Sequence, residues 1–236
     1  MNPIIKTYEY QITQDAKNKS IFMITFTNTS EPTKSLIKSL TKSSIILGAT
    51  IYNNYKSISF KAHSIKTLNQ YKKDLTRTKS VPNFSYLNTL KLVYYLTKQL
   101  TYLIDEESHS FYQYDPENII VIDNSKFIYL SLNSLKKVDE KTEFIQFTTT
   151  FDRDGFVSPE LLKINSLPTL VNYRTIYYSL GLLAIDCLID YKENDVNIYD
   201  DTNLEEILGP IKETKLFYLI KKCLQREPMN RVVIHF

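Results

Sequence analysis

The chain has 236 residues, of which 43% are apolar and 23% are charged, and its net charge is +3. This balance is typical of a folded protein and argues against long disordered segments. The small, scattered basic excess argues against nucleic acid or an anionic membrane as a partner. Residues 1–11 show no signal-peptide pattern, and the longest apolar stretch, residues 176–189, is too short to cross a bilayer. We therefore expect a soluble intracellular protein of unspecified compartment.

The first third of the chain predicts strands and one helix. Apolar and polar residues alternate over residues 8–12 and again over residues 22–26, which indicates half-buried strands. Ser30 has the side chain expected at the N-terminal cap of a helix. Two further strands are expected at residues 45–52 and 57–60, with a tight turn between them.

Helices and a hairpin are predicted next. Apolar residues spaced three or four apart indicate a short helix over residues 68–75. A longer amphipathic helix follows, and Ser85 is its expected cap. Strands at residues 119–122 and 127–132 are separated by turn residues and predict a β-hairpin.

The remaining elements complete an α+β pattern. Residues 133–155 are polar and predict a long irregular loop. A helix that is apolar on all sides is expected at residues 176–189, and an amphipathic helix at residues 214–224. Together the elements predict a small β-rich part, residues 1–62, before a mainly helical part, residues 63–236.

The cysteines and histidines indicate no metal or disulfide chemistry. Cys187 and Cys223 lie in apolar helical runs, so buried free thiols are expected. The three histidines have no spacing typical of a metal site. We therefore expect neither a disulfide framework nor a bound metal.

Four segments, in this order, resemble motifs of the eukaryotic protein-kinase family. Residues 111–120, FYQYDPENII, resemble the catalytic loop H-R-D-L-K-P-E-N-I-L. Residues 155–160, GFVSPE, resemble the end of the activation segment, G-Y-x-A-P-E. Residues 178–181, YSLG, resemble the W-S-x-G of the central helix. Residues 223–231, CLQREPMNR, resemble the late motif C-L-x-x-D-P-x-x-R.

The resemblance is specific over about residues 85–231 and depends only on element order before that. It implies a protein-kinase-like bilobal fold in which residues 1–62 form the N-lobe and residues 63–236 the C-lobe of one domain. The fold is expected to be reduced at both ends, because the family usually continues into one more helix beyond Phe236. The alternative is an unrelated α+β domain in which these short matches are coincidental.

The groups that a kinase uses to transfer phosphate are missing from their expected positions. No glycine lies in the first strand pair, and the strand over residues 21–27 contains no lysine, although Lys19 lies just before it. Gln113 stands at the position of the catalytic base, and an amide cannot take up a proton at neutral pH. The metal-holding aspartate would fall within residues 131–133, where Ser131 is neutral and a weak ligand for Mg²⁺.

Some residues of the family pattern remain. Asp115 is the candidate for a relocated base, although a capping role in its turn is favoured. Asn118 matches an asparagine that contributes to a metal site, but alone it cannot form one. By resemblance, Glu160 and Arg231 form a buried ion pair. Ile176 replaces the aspartate that anchors the catalytic loop, so this loop is expected to lose an anchor.

We therefore predict a pseudokinase that binds a partner protein and has no catalytic, cofactor or metal site. The loop at residues 133–155, with Thr148–Thr150, is a candidate contact or modification site, and a plain exposed loop is favoured there. The first alternative is a divergent active Ser/Thr kinase that uses ATP and Mg²⁺ through relocated groups such as Asp115 and Asp139. The second is a structural remnant that binds no ligand.

Overall fold

The structure is a computed structural model that describes residues 3–79, 84–189 and 201–233. The end of the predicted helical part, residues 234–236, lies outside the described residues. The described chain is an α+β protein with a small antiparallel sheet before several helices. This order agrees with the expected α+β class.

Five strands near the N-terminus form one antiparallel sheet in the order β1-β2-β3-β5-β4, and helix α1 lies between β3 and β4 in the chain. The elements are β1 Pro3–Lys6, β2 Tyr10–Gln14, β3 Ile21–Phe26, α1 Glu31–Lys42, β4 Thr50–Tyr52 and β5 Ser57–Lys61.

The local signals for β2, β3 and α1 are confirmed. Tyr10 and Ile12 are buried in β2, and alternate residues of β3 are buried in the same way. Ser30 caps α1, because its hydroxyl accepts the backbone N–H of Thr33 while the Thr33 hydroxyl accepts that of Ser30. This reciprocal arrangement satisfies two donors that a helix start otherwise leaves free.

Two strand predictions in this region are wrong. Tyr8 lies in the turn between β1 and β2 and is 70% exposed. The strand predicted at residues 45–52 contains only Thr50–Tyr52. Ser44 and Gly48 have φ values of 60° and 63°, and such left-handed backbone makes turns after α1 instead of an extended strand.

The second part of the chain is richer in helix. Its elements are β6 Ile65–Thr67, α2 Leu68–Lys79, α3 Tyr86–Glu107, β7 His109–Phe111, β8 Ile119–Ile122, β9 Lys126–Tyr129, β10 Leu135–Lys137, β11 Phe144–Phe147, α4 Pro159–Leu162, β12 Thr169–Asn172, α5 Thr175–Ile189, α6 Asp201–Ile207 and α7 Lys215–Cys223.

Helices α3 and α5 form the centre of this part. The Ser85 hydroxyl caps α3 by accepting the backbone N–H of Asn88, as expected. The buried side chain of Gln99 in α3 bonds to both backbone groups of Tyr129, so the helix and strand β9 are joined at a defined register. Helix α5 is buried on nearly all sides and packs against α3 and α7.

The hairpin and the loop after it differ from expectation. The β8–β9 hairpin is present, but its second strand ends at Tyr129. Residues 133–155 are not one irregular loop, because β10 pairs with β7 and β11 pairs with β12. These partner strands are remote in sequence, so no local pattern indicates the pairing. Thr148–Thr150 lie exposed after β11.

One continuous apolar core joins the five-stranded sheet to α3, α5 and α7. A second, smaller cluster lies under β11 and β12; its buried members are Tyr112, Val138, Ile145, Phe147, Val157, Leu161 and Val171. Among the described residues, no helix has the length and apolar content needed to cross a membrane.

Candidate ligand cleft

A cleft of about 520 Å³ lies where the turn after β1 faces the loop before β8. Residues 5–8 line one side, and residues 112–118 line the other. The rest of the lining consists of Thr67, Asn69, Tyr129, Ser131, Asn133, Ser134 and the acidic pair Asp152 and Asp154. This volume is within the range of small-ligand sites in proteins.

The cleft contains the four predicted residues of the degenerate site. Gln113, Asp115, Asn118 and Ser131 all line it, although Ser131 lies on a different segment from the other three. Lys19 and Asp139 do not line it. Lys19 is exposed in the turn between β2 and β3, while the Asp139 carboxylate accepts the N–H groups of its own turn.

The loop that carries Gln113 is held by backbone contacts. The N–H of Tyr114 donates to the Ser179 hydroxyl of α5 at 2.7 Å, and the Tyr114 carbonyl accepts the N–H of Phe156 at 2.9 Å. The loop is therefore anchored to α5 through Ser179, while the apolar side chain of Ile176 supplies no hydrogen bond to it. Ser179 is three residues further along the helix and reaches the same loop.

Gly155 is required for this close packing. A Cβ atom built on Gly155 would lie 2.6 Å from the carbonyl oxygen of Tyr114, a backbone atom that has little freedom to move. The segment that follows it, residues 156–160, therefore lies directly against the loop of Gln113. A glycine is the one residue type that fits at this contact.

Gln113 is buried, with 4% of its surface exposed, and its Oε1 atom has no hydrogen-bond partner. A buried carbonyl oxygen without a donor carries a free-energy cost of about 1–3 kcal/mol. The amide cannot act as a general base, since it does not take up a proton at neutral pH. Gln113 therefore offers an unused acceptor at the cleft and no proton-transfer chemistry.

Asp115 and Asn118 bond to each other. The Asp115 carboxylate accepts the backbone N–H of Glu117 at 2.9 Å and the side-chain amide of Asn118 at 2.7 Å. Asp115 thus caps the short 3₁₀ turn Pro116–Asn118, as its favoured interpretation predicted. Both of its oxygens are engaged within the turn.

Glu9 does not line the cleft, but it bonds to Asn133, which does. Its carboxylate accepts the backbone N–H of Asn133 at 2.6 Å, and the Asn133 side-chain amide donates to the Tyr8 hydroxyl at 2.6 Å. Glu9 is 4% exposed and its Oε2 atom has no hydrogen-bond partner. Burial raises the pKa of Glu9, while hydrogen bonds from Asn133 and Ser131 oppose the rise.

The cleft carries a negative charge. Four carboxylate side chains line it, those of Asp115, Glu117, Asp152 and Asp154, against the single ammonium group of Lys6. A hydrogen bond with Asp152, and the repulsion between the two carboxylates, raise the pKa of Asp154. Such a field favours positively charged groups and opposes phosphates.

The sequence interpretation missed these acidic groups. Asp152 and Asp154 stand directly before the segment GFVSPE, and two acids so close in sequence were a visible signal. Glu9 had no local signal, because its role depends on Asn133, which is 124 positions away. Among the described residues, no three His, Cys, Asp or Glu side chains are grouped so that they could hold a metal ion.

The predicted ion pair is present outside the cleft. The Arg231 guanidinium makes two hydrogen bonds to the Glu160 carboxylate, one of them at 2.9 Å. Arg231 is fully buried, also donates to the carbonyl oxygens of Gln225 and Arg226, and stacks on the Tyr178 ring. This network fixes the segment after Gly155 to the end of α7 and the residues beyond it.

Comparison with known proteins adds no family assignment. Models of known protein families give no match to this chain, and no curated protein matches its sequence. The geometry and charge of the cleft are therefore the basis for a functional assignment.

Proposed function

We propose that the chain has a protein-kinase-like bilobal fold, with an N-lobe at residues 1–62 and a C-lobe at residues 63–236. We further propose that it is catalytically inactive and acts by binding a partner protein. The hydrogen bond between Glu9 and the backbone of Asn133 carries this proposal.

Under this proposal, the turn containing Glu9 stands where a kinase has its phosphate-covering loop. Residues 131–133 stand where the metal-holding aspartate would be. In an active kinase, phosphates and Mg²⁺ separate these two segments. Here the two segments bond directly to each other through a buried carboxyl group. Phosphate binding would have to break this bond and overcome the repulsion of the acidic side chains that line the cleft.

The chemistry of the opposite wall supports the same proposal. Gln113 stands at the base position and cannot take up a proton. Catalytic groups that act together have strongly non-additive effects on the reaction rate. Loss of the base is therefore not offset by the groups that remain. The frame around the cleft is nevertheless kept by the Glu160–Arg231 pair and by the Tyr114–Ser179 bond. A rigid frame of this kind is suited to presenting a surface to a partner.

The active-kinase alternative depends on Asp115 and Asp139. Both oxygens of Asp115 already accept hydrogen bonds, and Asp139 caps a turn that does not line the cleft. The two carboxylates therefore lie in separate turns, and only Asp115 lines the cleft. The remnant alternative predicts no ligand, whereas the cleft has a coherent charge.

Thermal unfolding with and without millimolar ATP and Mg²⁺ tests the proposal. A ligand that binds only the folded state raises the midpoint by mass action. We expect the same midpoint in ATP with Mg²⁺, in ATP with a chelator, and without ATP. A shift that requires Mg²⁺ and is lost in Asp115→Asn but kept in the control Asp139→Asn would overturn the proposal.

A further inference from the structure

The four carboxylates of the cleft lack cationic partners within the described protein. No ion pair in the described part of the chain involves Asp115, Glu117, Asp152 or Asp154. Lys6 lines the cleft but pairs with none of them. The cleft therefore has an unneutralised charge that a bound cation would offset.

The arginine next to the two aspartates in sequence does not bond to either of them. Arg153 lies between Asp152 and Asp154 in the chain, yet its guanidinium donates to the carbonyl of Ile164 at 3.0 Å. It also stacks on the Phe151 ring at 5.1 Å. The two aspartates instead contact each other, since the backbone N–H of Asp154 donates to the Asp152 carboxylate at 3.2 Å. Their mutual repulsion remains uncompensated.

Gln113 supplies an independent observation. It is more than nine-tenths buried, lines the cleft, and has a carbonyl oxygen without a donor. Buried acceptors in native proteins nearly always have partners, so an unused one beside a cavity indicates a ligand with an N–H or O–H donor. A ligand that combines positive charge with several donors would satisfy both Gln113 and the acidic pair.

We propose that the cleft binds an arginine side chain in a basic segment of a partner protein, with Gln113 Oε1 and the carboxylates of Asp152 and Asp154 as acceptors. A guanidinium is planar, always charged and has five N–H donors, whereas an ammonium is a compact point charge. It can therefore bond to acceptors in several directions at once. This inference depends on the proposed function, since it names the chemistry of the proposed partner.

Titration with short peptides tests the inference. The probes are peptides of four arginines, four lysines and four citrullines, and citrulline keeps the shape of arginine without its charge. At near-physiological salt we expect the arginine peptide to bind about tenfold more tightly than the citrulline peptide and measurably more tightly than the lysine peptide. Equal affinity of the arginine peptide and either other peptide, or no binding of the arginine peptide, would overturn the proposal.

Two charge-matched variants show where the peptide binds. Asp152→Asn with Asp154→Asn removes two exposed acids of the cleft and should weaken arginine-peptide binding about tenfold. Asp105→Asn with Glu106→Gln removes two exposed acids of α3 that do not line the cleft, and should change the affinity less than about twofold. Equal losses of peptide affinity in both variants would mean that the overall charge of the protein attracts the peptide, and the inference would fail.

The role of Gln113 has its own test. Gln113→Leu keeps the charge of the cleft but removes the acceptor, so it should weaken binding of the arginine peptide without a change in net charge. Because this position is buried, the fold of the variant is checked by circular dichroism, and the exposed aspartate pair keeps the proposal testable if the variant does not fold. Unchanged affinity in a folded Gln113→Leu variant would contradict the assignment.

The two proposals fail in different ways. If ATP gives no thermal shift and the arginine peptide does not bind, the inactive-domain proposal stands and the arginine inference is overturned. If Mg²⁺-dependent ATP binding is followed by phosphate transfer, the proposed function is overturned whatever the peptides do.

Discussion

The carboxylate of Glu9 accepts the backbone N–H of Asn133 across 124 positions of sequence. Together with the bond from the Asn133 side-chain amide to the Tyr8 hydroxyl, it joins the turn between β1 and β2 to the segment that follows β9. The carboxyl group is buried, which raises its pKa, and the bond holds the two segments together beside the cleft.

Removal of the Glu9 acceptor should destabilise the protein. Glu9→Ala removes the acceptor of the Asn133 N–H, and a hydrogen bond of this kind contributes about 0.5–1.5 kcal/mol. Glu9→Gln keeps a carbonyl oxygen as acceptor and should retain most of the stability. Urea unfolding of both variants at neutral pH measures the difference. Equal losses in Ala and Gln variants would show that the hydrogen bond contributes little.

The stability of the wild type should depend on pH through Glu9. Burial raises its pKa in the folded state above the ordinary value of 4.5, so the folded protein binds this proton more tightly than the unfolded chain does. The stabilising contribution of Glu9 is therefore present when the pH is below its ordinary pKa, and it is lost as the pH rises through the raised pKa.

The matched comparison for this pH dependence is Glu9→Gln, which cannot titrate at this position. Relative to this variant, the wild type should lose free energy of unfolding as the pH rises above about 4.5 and through the raised pKa of Glu9. Denaturant titrations at several pH values give the difference directly. A difference that stays constant, or that shrinks as the pH rises, contradicts the prediction.

The Glu160–Arg231 pair should be strongly coupled. Glu160→Gln leaves the fully buried guanidinium of Arg231 without its counter-charge, at a cost of about 3–5 kcal/mol. The double variant Glu160→Leu with Arg231→Met should cost less than the sum of the two single changes, because it leaves neither charge unpaired.

The control for this prediction is a solvent-exposed pair. The Lys221–Glu205 ion pair lies at the surface, so Glu205→Gln should cost less than about 1 kcal/mol. Chemical unfolding of these variants measures the contrast. A cost for Glu160→Gln as small as that for Glu205→Gln would mean that the backbone carbonyls around Arg231 suffice for it.

Gly181 should be required where α5 meets the end of α7. A Cβ atom there would lie 2.9 Å from Leu224 Cδ2 and 3.1 Å from Cys223 Cβ, which is closer than atoms pack. We expect Gly181→Ala to cost about 1–2 kcal/mol, since overpacking outweighs the gain in helix propensity.

Gly209→Ala is the matched control, because a Cβ atom at Gly209 would meet nothing within 4 Å. That change should alter stability by less than about 0.5 kcal/mol. Thermal unfolding distinguishes the two. If both changes have the same effect, the close approach of Leu224 to α5 is relieved by small side-chain movements.

Local interactions let several features be predicted from sequence. The caps at Ser30 and Ser85 depend on residues within three positions, and the capping role of Asp115 depends on Glu117 and Asn118. The buried helix α5 follows from apolar residues on all its sides. The segment resemblance likewise predicted the Glu160–Arg231 pair, although its partners are 71 positions apart.

Other features followed only from contacts between remote segments. The pairing of β11 with β12 converts part of a polar stretch into sheet, and the Tyr114–Ser179 bond replaces an anchor that Ile176 cannot supply. Neither contact has a signature in the residues around it.

The sequence by itself determined the α+β class and the positions of the main helices, because these depend on residue type and short spacing. The tertiary structure alone decided which side chains meet in the cleft. Gln113 and the acidic pair Asp152 and Asp154 come from separate segments, and chain folding brings them to one cleft. The net charge of the cleft depends on which side chains lie close together in the folded chain. It therefore could not be obtained from the order of residues in the sequence.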